Sequence, residues 1–161
     1  MIINLGGIGD FLLSLPALRA LQNHFVSAQI SILVVPRSAE LIKHSSITES
    51  IFIFHKNYCL LSLLKDFFTL LILRQMRFDM AINMRTLVST NSARMVKLLF
   101  DTIKPKIKVG RDTDGRGYFF DIKIPETVIG KKFEMDYDID TIRALGVAIE
   151  DQSISFKITE D

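Results

Sequence analysis

Ile2-Ile3-Asn4-Leu5-Gly6-Gly7-Ile8-Gly9-Asp10-Phe11-Leu12-Leu13-Ser14-Leu15-Pro16-Ala17-Leu18-Arg19-Ala20-Leu21 decides how the rest of the chain is read. A short aliphatic run gives way to glycines, and the glycines to apolar residues recurring at three- and four-residue spacings. That order spells a strand, a tight turn and an amphipathic helix. In a doubly wound sheet such a turn falls at the carboxyl end of the first strand, where ligands bind. Its glycines allow close backbone approach, and a helix start favours an anion. The dinucleotide fingerprint is not met. Counted from Gly7, its third glycine would fall on Leu12, and the second strand ends Val34-Val35-Pro36-Arg37 with no acid for a ribose hydroxyl.

Further along, the same alternation repeats. Ile2–Leu5, Gln29–Val35, Ser50–Phe54, Met80–Asn83 and Lys106–Val109 are β-branched or aliphatic with little alternation, as strands covered on both faces should be. Phe11–Phe25, Ala39–His44, Leu60–Gln75 and Ser89–Phe100 carry helical spacing. Strand–helix–strand repetition predicts right-handed crossovers and a parallel, Rossmann-like sheet with helices on both faces. After the fifth strand, residues 110–117 read as a glycine-rich loop. Tyr118–Ile124 reads as an extended segment stopped by Pro125, and Phe133–Leu145 as a last helix ended by Gly146. Ser153–Ile158 starts to alternate like another strand, and the sequence stops at Asp161, which suggests a piece of something longer.

Composition narrows the class. At 161 residues and 48% hydrophobic the chain fits one domain, residues 1–161, with a full core. The lone Cys59 rules out an internal disulfide framework and suits a reducing, cytoplasmic compartment. A net charge of +2 gives no ground for nucleic acid as a partner. The longest apolar stretch, Tyr58–Leu73, is broken by Lys65 and Asp66, so no membrane span is expected. Neither a metal nor a cofactor is expected. His24, His44 and His55 lack ligand spacing, and Ser14 and Ser62 lack a nucleophile elbow.

Asp10 admits two readings. It is a helix N-cap, or it is a general base presented at the mouth of a cleft by a glycine turn. Pro16 removes an amide a turn or so into the helix, so the helix either kinks or begins later, near Ser14. Arg85 follows strand four, and Arg111 and Arg116 sit in the loop after strand five. All three are expected on the edge that carries Asp10, as forks for an anionic ligand. The plain alternative is solvated arginines, with Asp112 and Asp114 pairing to Arg111 and Arg116. Lys104, Lys106 and Lys108 read as a solvated edge. Leu60–Gln75 is apolar almost all round and reads as a buried or half-buried sheet cover. Docking on a membrane surface, aided by Lys56, Lys65, Arg74 and Arg77, and self-association are the alternatives.

Residues 5–21 resemble the opening motif of glycosyltransferase family 9, the heptosyltransferases of lipopolysaccharide assembly. Phe78-Asp79-Met80-Ala81-Ile82-Asn83 is similar to that family's fourth strand. Lys108-Val109-Gly110-Arg111 with the Asp114-Gly115-Arg116-Gly117 loop is similar to the turn after its fifth strand. Met135–Gly146, running into Val147, is similar to the helix leading to its second domain. The resemblance implies the N-terminal half of a GT-B fold, with an inverting, metal-independent transfer. The acceptor, an anionic lipopolysaccharide core, would bind this half at Gly7, Gly9, Arg85, Arg111 and Arg116. ADP-heptose would bind a C-terminal domain that this sequence lacks. Asp10 would be the catalytic base. Family members run to about twice this length, so the isolated domain is expected to be inactive. Glu134 stands near where many members carry a histidine. Two other functions remain: a non-catalytic Rossmann-like binding module, and a small nucleotide-binding protein using Gly6–Gly9 as a phosphate cradle.

Overall fold

Short aliphatic runs near the middle of the sheet set the architecture, because strands of that composition must be covered on both faces. The computed structural model describes residues 1–43, 48, 50–56, 59–149 and 151–154. In chain order the elements are β1 (Ile2–Asn4), α1 (Ile8–Leu13), α2 (Leu15–His24), β2 (Ser31–Val34), α3 (Pro36–Lys43) and β3 (Ser50–Ile53). They continue with α4 (Leu60–Gln75), β4 (Met80–Asn83), α5 (Thr90–Ile103), β5 (Ile107–Thr113), β6 (Ile122–Glu126) and α6 (Glu134–Arg143). The strands lie in the order β3-β2-β1-β4-β5-β6, and every neighbouring pair is parallel. The order 3-2-1-4-5-6 is that of a doubly wound sheet.

Two cores flank the sheet, and successive residues of a strand feed opposite ones. Ile2, Ile32, Val34 and Ile82 pack with α1, α2, α3 and α6, whereas Ile3, Leu33 and Ala81 pack with α4 and α5. The order of strands reverses between β1 and β4. The loop leaving β1 leads to α1 in one helical layer and the loop leaving β4 leads to α5 in the other, and a doubly wound sheet has its crevice between two such loops at the carboxyl ends. Gly6–Asp10 and Arg85 lie on its two lips.

The structure corrects several sequence expectations. The single helix expected over Phe11–Phe25 is two: α1 ends at Leu13 with Ser14 as its C-cap, and α2 begins at Leu15, the later start expected near Ser14, with Pro16 in its first turn, where a missing amide costs nothing. β5 continues four residues beyond the expected Val109 to Thr113, because β6 pairs along Val109–Thr113. Residues 118–119 are turn, not strand. Pro125 stands inside β6, not at its end, and is tolerated because β6 is an edge strand with no neighbour on one side. Gly146, at φ +78°, follows α6 as expected. Ser153 and Ile154 are not strand, and residues 155–158 lie outside the described residues, as does His44.

The largest correction concerns α4. It forms where the spacing placed it, yet most of its apolar side chains face outward: Leu60 is 73% exposed, Phe67 55% and Phe68 60%. Its buried residues are Leu73 and, unexpectedly, Asp66. One Asp66 carboxylate oxygen accepts from the His55 backbone N–H at 2.9 Å and lies 2.8 Å from His55 Nδ1. The acid that seemed only to interrupt an apolar run therefore fastens the β3–α4 connection to the helix. Among the described residues no helix is long and apolar enough to cross a membrane.

Candidate functional site

Two strands that end in buried asparagines build the site. Asn4 closes β1, and its side-chain oxygen accepts from the Gly6 amide at 3.1 Å. Asn83 closes β4, and its side-chain amide donates to the Arg85 carbonyl at 2.6 Å. Each asparagine thus bonds the backbone two residues on and sets the path of its own loop. Ser38 of α3 adds a hydrogen bond to the Gly6 carbonyl at 3.3 Å.

On this base sits Asp10, the third residue of α1. It is not the N-cap. Gly7 is, and it has no side chain to offer. Asp10 reaches back, so that Oδ2 accepts from the Gly7 amide at 2.9 Å, while Oδ1 lies 2.8 Å from Nη1 of Arg85. About a third of the carboxylate side chain remains exposed. Gly6 makes this fit possible: a Cβ there would come within 2.6 Å of both Cβ and Oδ2 of Asp10. Gly9 has open space around it. Gly7 and Gly9 therefore differ in what they offer a ligand. The Gly7 amide is already bonded to a carboxylate, and the surface over Gly9 is free.

Lys56 completes the crevice. It follows β3 on the same edge, and its ammonium donates to the Leu5 carbonyl at 2.7 Å. Partial burial and the neighbouring Arg85 cation pull its pKa below that of an ordinary lysine, with Asp10 pulling the other way. Two cations, Lys56 and Arg85, therefore flank one carboxylate.

Arg111 is elsewhere. It was expected in a loop, reaching for an anion; it lies in β5, wholly buried. The reason is that carboxylates wait for it inside. Nη2 donates to Asp138 and, at 2.9 Å, to the Met84 carbonyl. Nη1 donates to Thr86 Oγ1 and to Glu134 Oε2, each at 2.8 Å. The guanidinium also lies 4.9 Å from the Tyr137 ring centroid. Burial alone would lower its pKa, but Asp138 and Glu134 hold it above the ordinary arginine value. Its partner Asp112, expected from sequence, bonds the Gly117 amide at 2.7 Å instead. Arg116 is likewise committed, through Nε to the Leu87 carbonyl at 2.7 Å and loosely to Asp114 at 3.6 Å.

The buried polar groups form one connected set. Asn4 donates to Ser14 Oγ at 2.9 Å, and the Ser14 hydroxyl donates to Asp138 at 2.5 Å. Asp138 pairs with Arg111, which bonds Glu134, and Glu134 lies 3.7 Å from Arg85. On the other side Glu126, fully inside, accepts from Thr86 at 3.0 Å and from Thr113. Of the residues expected at the site, Asp10, Arg85, Gly7 and Gly9 are brought together, whereas Arg111 works beneath it and Arg116 braces a loop. Asn4, Asn83, Glu126 and Asp138 went unread in the sequence. The signal was there for the asparagines, since each ends an apolar strand two residues before a loop backbone group that it bonds. Among the described residues no three His, Cys, Asp or Glu side chains group to hold a metal ion.

Two outcomes follow for stability. Arg111→Ala strands Asp138 and Glu126 as buried acids without their cation and should cost about 3–5 kcal/mol in urea unfolding, against less than about 1 kcal/mol for Arg116→Ala. Burial pushes the Asp138 carboxyl up to about 6, against the pull of Arg111 and the Ser14 hydroxyl. The folded state thus binds this proton more tightly than the unfolded one, whose carboxyl titrates near 3.8. The contribution is present below that value and is lost as pH rises through about 6. Relative to Asp138→Asn, the wild type should lose roughly 1–3 kcal/mol across that window, read by denaturation at fixed pH steps.

No protein-family model and no curated protein matches the sequence. Solved structures do match the fold. E. coli heptosyltransferase WaaC, solved with ADP-2-deoxy-2-fluoro heptose, superposes with a TM-score of 0.72 at 16% identity over 95% of this chain and 51% of its own. A glycosyl transferase family 9 protein from Veillonella parvula gives 0.70 at 16% identity, covering 94% and 41%. E. coli ADP-heptose lps heptosyltransferase II gives 0.65 at 17% identity, covering 88% and 39%. The chain spans about half the length, or less, of these structures. It has the Rossmann-like fold found in part of each of them.

Proposed function

We propose that this chain is the acceptor-binding half of an inverting, metal-independent glycosyltransferase of family 9, one that moves heptose from ADP-heptose to a lipopolysaccharide core. The observation that carries this reading is Asp10. It is a partly exposed carboxylate on the lip of the switch-point crevice, fixed through both oxygens and flanked by Arg85 and Lys56. Its orientation is set before any ligand arrives, which general-base catalysis requires.

In the proposed reaction an acceptor hydroxyl hydrogen-bonds to Asp10. As its oxygen forms the bond to the anomeric carbon, the bond from that carbon to the ADP oxygen breaks, and the hydroxyl proton passes to the Asp10 carboxylate. ADP leaves with the bonding pair, and the sugar passes through a state with oxocarbenium character. Lys56 and Arg85 supply positive charge for phosphates or carboxylates of the core near the attacking hydroxyl. The diphosphate is held by a second domain, so the 161 residues alone are expected to be inactive. Work on a lipid-borne core would place the protein in the cytoplasm at the inner membrane.

A nucleotide cradle on Gly6–Gly9 is less well supported. The Gly7 amide is bonded to Asp10, and the same carboxylate would face an incoming phosphate. Calorimetric titration with a soluble phosphorylated core oligosaccharide and, separately, with ADP-heptose separates the two. The oligosaccharide should bind and the nucleotide sugar should not, with Arg85→Ala weakening the oligosaccharide about tenfold. Nucleotide binding that is indifferent to Arg85, with no response to oligosaccharide, would make the small nucleotide-binding protein the right reading.

A further inference from the structure

The outward face of α4 is inverted relative to an ordinary sheet-covering helix. Its inward line holds Asp66 and Leu73, with Ser62 and Thr69 half-buried between solvent and sheet. Its outward side shows Leu60, Leu61, Leu64, Phe67, Phe68 and Ile72, all exposed. Spread over 16 residues, the helix is about 24 Å long, so these side chains form one elongated apolar strip. Strips of this size on a soluble surface mark contact sites.

The charges around the strip have one sign. Residues 59–77 contain Lys65, Arg74 and Arg77, all exposed, and a single acid, Asp66, which is buried against His55. On α5, which packs beside α4, the acid Asp101 is paired with Lys97 and Lys108. A second copy of this face would bring cations toward cations, because the nearby acids Asp79 and Asp101 are already paired with Lys106 and with Lys97 and Lys108. An anionic surface answers Lys65 and Arg77, and also Arg74, whose Nη1 donates to the Thr102 carbonyl at 3.1 Å.

We propose that the α4 face docks on the surface of an anionic lipid bilayer. Leu, Ile and Phe side chains enter the headgroup–acyl boundary, and Lys65, Arg74 and Arg77 lie among the lipid phosphates. The helix lies in the interface and does not cross it. The inference rests on α4 alone and is independent of how the crevice is read.

Flotation of the full chain with vesicles tests it. Vesicles of three parts phosphatidylethanolamine to one part phosphatidylglycerol should carry the protein up the gradient, whereas pure phosphatidylcholine vesicles should carry about tenfold less. Phe67→Ser with Phe68→Ser should cut binding to the anionic vesicles by about tenfold or more, and Lys65→Gln with Arg77→Gln should remove most of the difference between the two lipids. Val128→Ser, an exposed apolar site outside α4, should bind as the wild type does, and circular dichroism should find every variant folded. Failure to float with anionic vesicles would overturn the proposal. So would flotation that ignores the Phe67 and Phe68 changes. Sedimentation showing a dimer that these serines dissociate, with no vesicle binding, would assign the face to a second copy instead.

Discussion

The guanidinium of Arg111 is the constraint on which the crevice depends. It is a fully buried cation in a β-strand, and burial of that kind is tolerated only with acids in bonding range. Asp138 and Glu134 come from α6, Thr86 and the Met84 carbonyl from the loop after β4, and Glu126 from the end of β6. One side chain therefore fixes α6, the β4 loop and the sheet edge relative to each other. Through Ser14 the same set reaches the joint between α1 and α2, and through Glu134 it approaches Arg85. The groups that face solvent at the crevice are oriented by groups that do not.

This arrangement explains why the sequence disclosed the fold more readily than the site. Ile2–Asn4, Ser31–Val34 and Met80–Asn83 could be read because a doubly covered parallel strand needs only aliphatic bulk. Asp10 could be read because the glycine turn before a helix marks the carboxyl edge. Arg111 misled for a physical reason: Gly110-Arg111-Asp112 has loop composition, and only the acids of α6 and β6, distant in sequence, make its burial tolerable. Pro125 misled similarly, since it stops a central strand but not an edge strand. Asp66 looked like an interruption because its partner, the His55 backbone amide, leaves no mark on hydrophobic periodicity.

Spending two arginines and four acids on one region has a consequence for chemistry. A carboxylate held by a backbone amide and a guanidinium keeps its direction when water or a sugar hydroxyl approaches. Lys56 and Arg85 lie beside it from two different strand ends, so an anionic ligand would be drawn toward the same spot that holds the base. The apolar strip on α4 lies in the opposite helical layer from α1 and α6, which keeps a surface contact there from covering the crevice wall that those helices build.

NMR of Glu134→Gln shows whether buried contacts set the Asp10–Arg85 pair from beneath. Glu134 is only partly buried, so the variant should fold, yet its carboxylate is the link between Arg111 and Arg85. The substitution should shift the Gly6 and Gly7 amide signals and leave the Arg85 guanidinium more mobile, with β2 and β3 amides unmoved. Gly7 and Arg85 signals identical to those of the wild type would mean that the Asp10–Arg85 pair stands without the network below.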